Sequence, residues 1–100
     1  KDVINLKFNG NLINGKYNVE ILINLFKLIG INNIIQNCSS IFNSSFHLSN
    51  IKIDKKTKCA CHELKENNNT YYLYINISKN NLCKKIMKIK DILQLNIEIN

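Results

Sequence analysis

Apolar and polar positions alternate in VINLKF. Ile4, Leu6 and Phe8 share one face and Asn5 and Lys7 the other, which is the two-residue period of a half-buried strand. Asn9-Gly10 follows, and Asn14-Gly15 repeats the signal. Glycine accepts positive φ, so either pair can form a two-residue turn, and a small hairpin ending near Tyr17 is expected. The period then lengthens. In VEILINLFKLI, Glu20, Asn24 and Lys27 fall within an arc of about 60°, while Val19, Ile21, Leu22, Leu25, Phe26, Leu28 and Ile29 fill most of the remaining wheel. Asn18 is the expected N-cap and Gly30 the expected residue just past the end. A helix this apolar needs cover on more than one flank. A sheet can supply one side, and the segment INNIIQNCSSIFNSSF, or a partner chain, must supply the other.

Between Asn32 and Ser45 no clear period is present. FHLSNIKID reads as extended, with an apolar phase that slips between Leu48 and Ile51 and predicts a bulge or break. TKCACHEL and YYLYINIS are two further strands joined by the loop KENNNT. In the second, Tyr71, Leu73, Ile75 and Ile77 point one way and Tyr72, Tyr74 and Asn76 the other. Ser78 is the expected cap of a second helix, in which Leu82, Ile86, Ile89 and Leu93 lie within about 60° of one another. QLNIEI closes the chain as a strand with Leu95, Ile97 and Ile99 inward. The pattern therefore predicts a single α+β domain over residues 1–100. Its mostly antiparallel sheet has four or five strands with two helices on one face, in the order β(β)-α-β-β-β-α-β.

From about residue 46 to 93, IKIDKKTKCACHEL, NNTYYLYINIS and the lysine-rich helix follow an order that loosely resembles one repeat of the TATA-box-binding protein fold. That resemblance would imply minor-groove binding through a sheet face with apolar wedges. The chain lacks the Gly-Lys hairpin and phenylalanine pairs of that family, and its first and second strands are too far apart. The likeness is therefore one of element order alone.

Composition changes the picture in two ways. One hundred residues, 45% of them hydrophobic, suffice for one core that removes about two-thirds of the unfolded surface from water. No stretch has the layout of a signal peptide, and VEILINLFKLIGI is too short and too often interrupted to span a bilayer. A net charge of +7 points to polyanions. However, Asn, Ile and Lys account for 51 residues, and Arg and Pro are absent. That bias is the mark of an AT-rich genome and raises lysine without any selection for binding. Without arginine the chain has no bidentate guanine reader, which argues against sequence-specific DNA recognition and leaves phosphate binding open.

The lysines are more informative by position than by number. Ten of the fourteen follow residue 51. Lys84, Lys85 and Lys88 fall within an arc of about 100° opposite the expected core face, with Asp91 as the helix's single acid. An amphipathic helix needs a solvated outside in any case. Read functionally, the three lysines form a phosphate-tracking face, extended by Lys55, Lys56 and Lys58. Tyr72 and Tyr74, two apart on one strand, either stack on bases or simply cover a half-exposed sheet face.

Other chemistry is sparse. Cys59, Cys61 and His62 form C-x-C-H, but strand alternation puts His62 opposite both thiols and no second C-x-x-C pair exists, so no metal or cofactor is expected. With Cys38 and Cys83 the cysteines read as buried reduced thiols of a cytoplasmic or nuclear protein; a disulfide-bonded secreted domain is the alternative. His47 and His62 lack an acidic partner in any catalytic pattern, and no phosphate loop or nucleophile elbow is present. The chain thus reads as non-enzymatic, without a small-molecule substrate or a membrane. The expected function is binding to RNA or a ribonucleoprotein surface, as an accessory or ribosome-associated protein. The alternative is an assembly subunit that docks on a protein through the first helix or an edge strand.

Overall fold

A computed structural model describes residues 3–53 and 59–100. The first strand, β1 (Leu6–Phe8), turns at Asn9-Gly10 into β2 (Asn11–Leu12). Both turn residues have positive φ, 53° and 83°, as a two-residue hairpin requires. Helix α1 (Asn18–Ile29) follows, then α2 (Ile31–Asn37) and a 3-10 turn at Ser39–Ile41. Strands β3 (Phe46–Ser49), β4 (Ala60–Glu66) and β5 (Asn69–Ile75), helix α3 (Lys79–Leu93) and strand β6 (Ile97–Ile99) complete the chain.

The expected α+β class is what the chain adopts. Among the described residues its strands form two three-stranded antiparallel sheets, β2-β1-β6 and β3-β5-β4, rather than one central sheet, and three α-helices rather than two accompany them. The chain's first and last strands pair with each other, Leu6 opposite Ile99 and Phe8 opposite Ile97. That closure uses up strands that a single sheet would have needed.

The additional helix is α2. Gly30, at φ 106°, ends α1 with its N–H on the Phe26 carbonyl and starts α2 directly, so the two helices meet at 87°. The corner folds Ile31, Ile34, Cys38 and Ile41 onto α1, all fully buried. The cover that α1 requires is therefore supplied within the chain, and of its apolar residues only Leu28 remains well exposed. On the other flank Phe26 meets Phe46 of β3, with ring centroids 6.4 Å apart. Burial of side chains such as Leu22, Leu25 and Phe26 contributes roughly 1.5–3 kcal/mol each. No single described helix is long and apolar enough to cross a membrane.

Asn18 does not cap α1. Tyr17 holds the cap position without a side-chain bond, and the Asn18 carboxamide turns away to accept the Ile4 N–H at 2.8 Å, fixing the chain's approach to β1. Ser78 does cap α3, accepting the Asn81 N–H at 3.2 Å. The slip after Leu48 is a break: β3 ends at Ser49, and Ile51 and Ile53 lie outside any strand.

Candidate nucleic-acid interface

Helix α3 lies with Leu82, Ile86 and Ile89 in the core, so its opposite side is fixed facing outward. Lys84, Lys85 and Lys88 come together there along one groove of about 440 Å³. Its far wall is built by the ends of the second sheet. The Asn76 N–H donates to the Ser45 carbonyl at 2.8 Å, and the Ser45 N–H to the Asn43 carboxamide at 2.8 Å, so side chains of all three line the groove. Ser78 and Asn81 of the helix entry complete the polar lining. Among the described residues no carboxylate lines it.

The three lysines are not equivalent. Lys84 and Lys88 are exposed. They stand four residues apart, about 6 Å along the helix, where like charges repel. Lys85 is half-buried, and its ammonium donates to the Ile41 carbonyl at 2.6 Å, satisfying the end of the 3-10 turn. It ties α3 to the α2 region and only its remaining donors face the groove. The amide and hydroxyl lining was not legible beforehand, because asparagine occurs throughout the chain and marks nothing locally. Ser78 alone carried a signal, as a cap.

Alternation assigns Tyr74 to the right face but not its burial. It does lie on the outer face of β5, opposite His47 and Cys61, yet it is 1% exposed, and the segment that follows β3 crosses to it at Ile53. Its hydroxyl accepts the Ile53 N–H at 2.9 Å and donates to the Ile53 carbonyl at 3.2 Å. Burial pushes the phenol above its ordinary range, with the Cys61 thiol adding to the shift and the Ile53 contact opposing it. Tyr74 is a clasp for that crossing segment and offers no stacking surface. Tyr72 is half-buried on the same face, between Ser49 and Glu63, and does not line the groove. Lys55, Lys56 and Lys58 lie outside the described residues.

Among the described residues the cysteines form no disulfide, but they are not uniformly buried as expected. Cys38 is in the core, where burial raises its pKa, whereas Cys59 and Cys83 are half-buried and Cys61 is exposed. The strand register puts Cys61 opposite Tyr74 and His62 opposite Leu73, on opposite faces of β4. Among the described residues no three His, Cys, Asp or Glu side chains converge as metal ligands would. No family model matches the chain, and comparison with curated proteins and with solved structures likewise finds no match, so the likeness to the TATA-box-binding fold gains no support.

Proposed function

We propose that this chain is a small, basic, non-enzymatic module that binds RNA, alone or on a ribonucleoprotein surface, by holding backbone phosphates along α3. The observation that carries the reading is the gathering of Lys84 and Lys88, with part of Lys85, in one groove lined by amides and hydroxyls and, among the described residues, by no carboxylate. Two lysines whose backbone positions stand about 6 Å apart along a helix can place their ammonium groups on neighbouring phosphates of one strand. Their mutual repulsion is relieved when anions sit between them. Amide and hydroxyl groups add hydrogen bonds to phosphate and sugar without choosing a base, which agrees with a chain that has no arginine. Accessory or ribosome-associated service in the cytoplasm or nucleus fits cysteines that form no disulfide among the described residues, together with phosphate-directed binding.

Filter binding of the folded protein to generic single-stranded RNA across a salt series tests this. Each phosphate contact lowers log affinity against log salt by about 0.7, so two or three contacts give a slope of about −1.4 to −2.1. Salt-independent binding, or none near 50 mM salt, overturns the reading.

A further inference from the structure

Among the described residues the second sheet ends in a strand with no other strand beside its outer edge. β4 pairs with β5 on one side, and among the described residues no backbone group reaches its other side. At seven residues it is long for an open edge, and Ala60, Cys61, Glu63 and Lys65 are exposed along it. Asn67 and Asn68, both at positive φ, join it to β5 by a two-residue turn, so Glu66 and Asn69 form the closing pair. In such a hairpin the closing pair exchanges both hydrogen bonds, and the pattern alternates from there. Leu64 and His62 therefore direct their N–H and C=O toward β5, while Lys65 and Glu63 direct theirs to the open edge.

We infer that β4 pairs antiparallel with β4 of a second copy of this chain, centred on Leu64. The sequence Glu63-Leu64-Lys65 is self-complementary in charge when reversed. A two-fold axis at Leu64 sets each Glu63 opposite the partner copy's Lys65, and these two residues carry the outward backbone groups that a ladder needs. His62 then faces Glu66 across the same seam. Shifting the axis to residue 63 would set two glutamates face to face, which cross-strand pairing disfavours. Shifting it to residue 62 pairs no opposite charges among residues 60–66. The result is one sheet running β3-β5-β4-β4-β5-β3 through both copies, which removes the open edge. This rests on the hairpin and its charges and is independent of the lysine groove.

Sedimentation equilibrium of the full chain at about 150 mM salt, where repulsion between two basic copies is screened beyond about 8 Å, provides the test. The wild type sediments as a reversible dimer. Glu63→Lys and Lys65→Glu each weaken it by about tenfold, since attraction becomes repulsion at both symmetric sites. The double variant Glu63→Lys/Lys65→Glu recovers the wild-type affinity. Both positions are exposed, and circular dichroism of each variant confirms an intact fold. A monomer at hundreds of micromolar overturns the inference, and so does a dimer indifferent to both single reversals or one that the double variant fails to restore.

Discussion

The carboxylate of Glu66 accepts the backbone N–H of Ile31 at 2.8 Å, across 35 positions of sequence. Its second oxygen lies 3.4 Å from the Asn32 N–H. One side chain at the end of β4 thus satisfies the opening of α2, whose own N-cap is a glycine with no side chain to offer. The contact joins the β4–β5 hairpin to the 87° corner that covers α1.

Glu66→Ala should therefore cost about 1–2 kcal/mol, the range for losing an N-cap, and Glu66→Gln clearly less, because an amide oxygen still accepts one bond. Urea unfolding measures both. Equal losses for the two variants would mean that the contact contributes through charge alone.

Gly15 and Gly10 separate two reasons for glycine. A Cβ on Gly15 would stand 2.7 Å from Ile21 Cγ1 and 2.9 Å from the Ile21 backbone nitrogen, whereas one on Gly10 meets nothing within 4 Å. Gly15→Ala should destabilise by roughly 1–3 kcal/mol through overpacking against α1. Gly10→Ala should cost only about 1–2 kcal/mol, from its φ of 83°. Replacing Gly10 by Asn, which tolerates that conformation, should recover most of the loss, while Asn at Gly15 should not. Thermal melts of the four variants check this.

Alkaline pH should destabilise the fold. The Cys38 thiol and the Tyr74 phenol both hold their protons more tightly folded than unfolded, from ordinary values of 9.0 and 10.0. Above those values the unfolded chain binds fewer protons than the folded one, so stability falls as pH rises, first through Cys38 and then through Tyr74. Below about pH 8 these two groups should contribute no slope. Urea midpoints from pH 7 to 11 should show the decline, and Tyr74→Phe should remove its upper part. The same variant leaves the Ile53 backbone groups unpaired and should lower stability at neutral pH by about 1 kcal/mol.

Much of the fold was legible because local chemistry and tertiary position agree. Asn9-Gly10, the apolar wheel of α1, the alternation of Tyr71, Leu73 and Ile75, and the Ser78 cap each act through neighbours in sequence. Helix α2 escaped because its cap comes from Glu66, far along the chain, and its buried Ile31, Ile34, Cys38 and Ile41 are interleaved with asparagine and serine. Tyr74 escaped for a similar reason: alternation assigns a face, but not the burial or the Ile53 backbone partner that it meets there. The helical wheel sets Lys85 opposite the core face, but it carries no information about the Ile41 carbonyl within reach of its long stem, which leaves the residue half-buried.

Stability and binding should part company on α3. Lys84→Glu places an acid four residues before Lys88, the favourable orientation, and nearer the positive end of the helix dipole. The variant should be more stable than the wild type by about 0.5 kcal/mol and bind RNA more weakly. A loss of both properties would indicate that Lys84 supports the fold instead.

The salt dependence of RNA affinity in Lys84→Gln/Lys88→Gln against the wild type addresses the groove itself. If both ammonium groups hold phosphates, the slope of log affinity against log salt becomes shallower by about 1.4. An unchanged slope and affinity in the double variant would contradict the assignment of α3 as the phosphate-binding face.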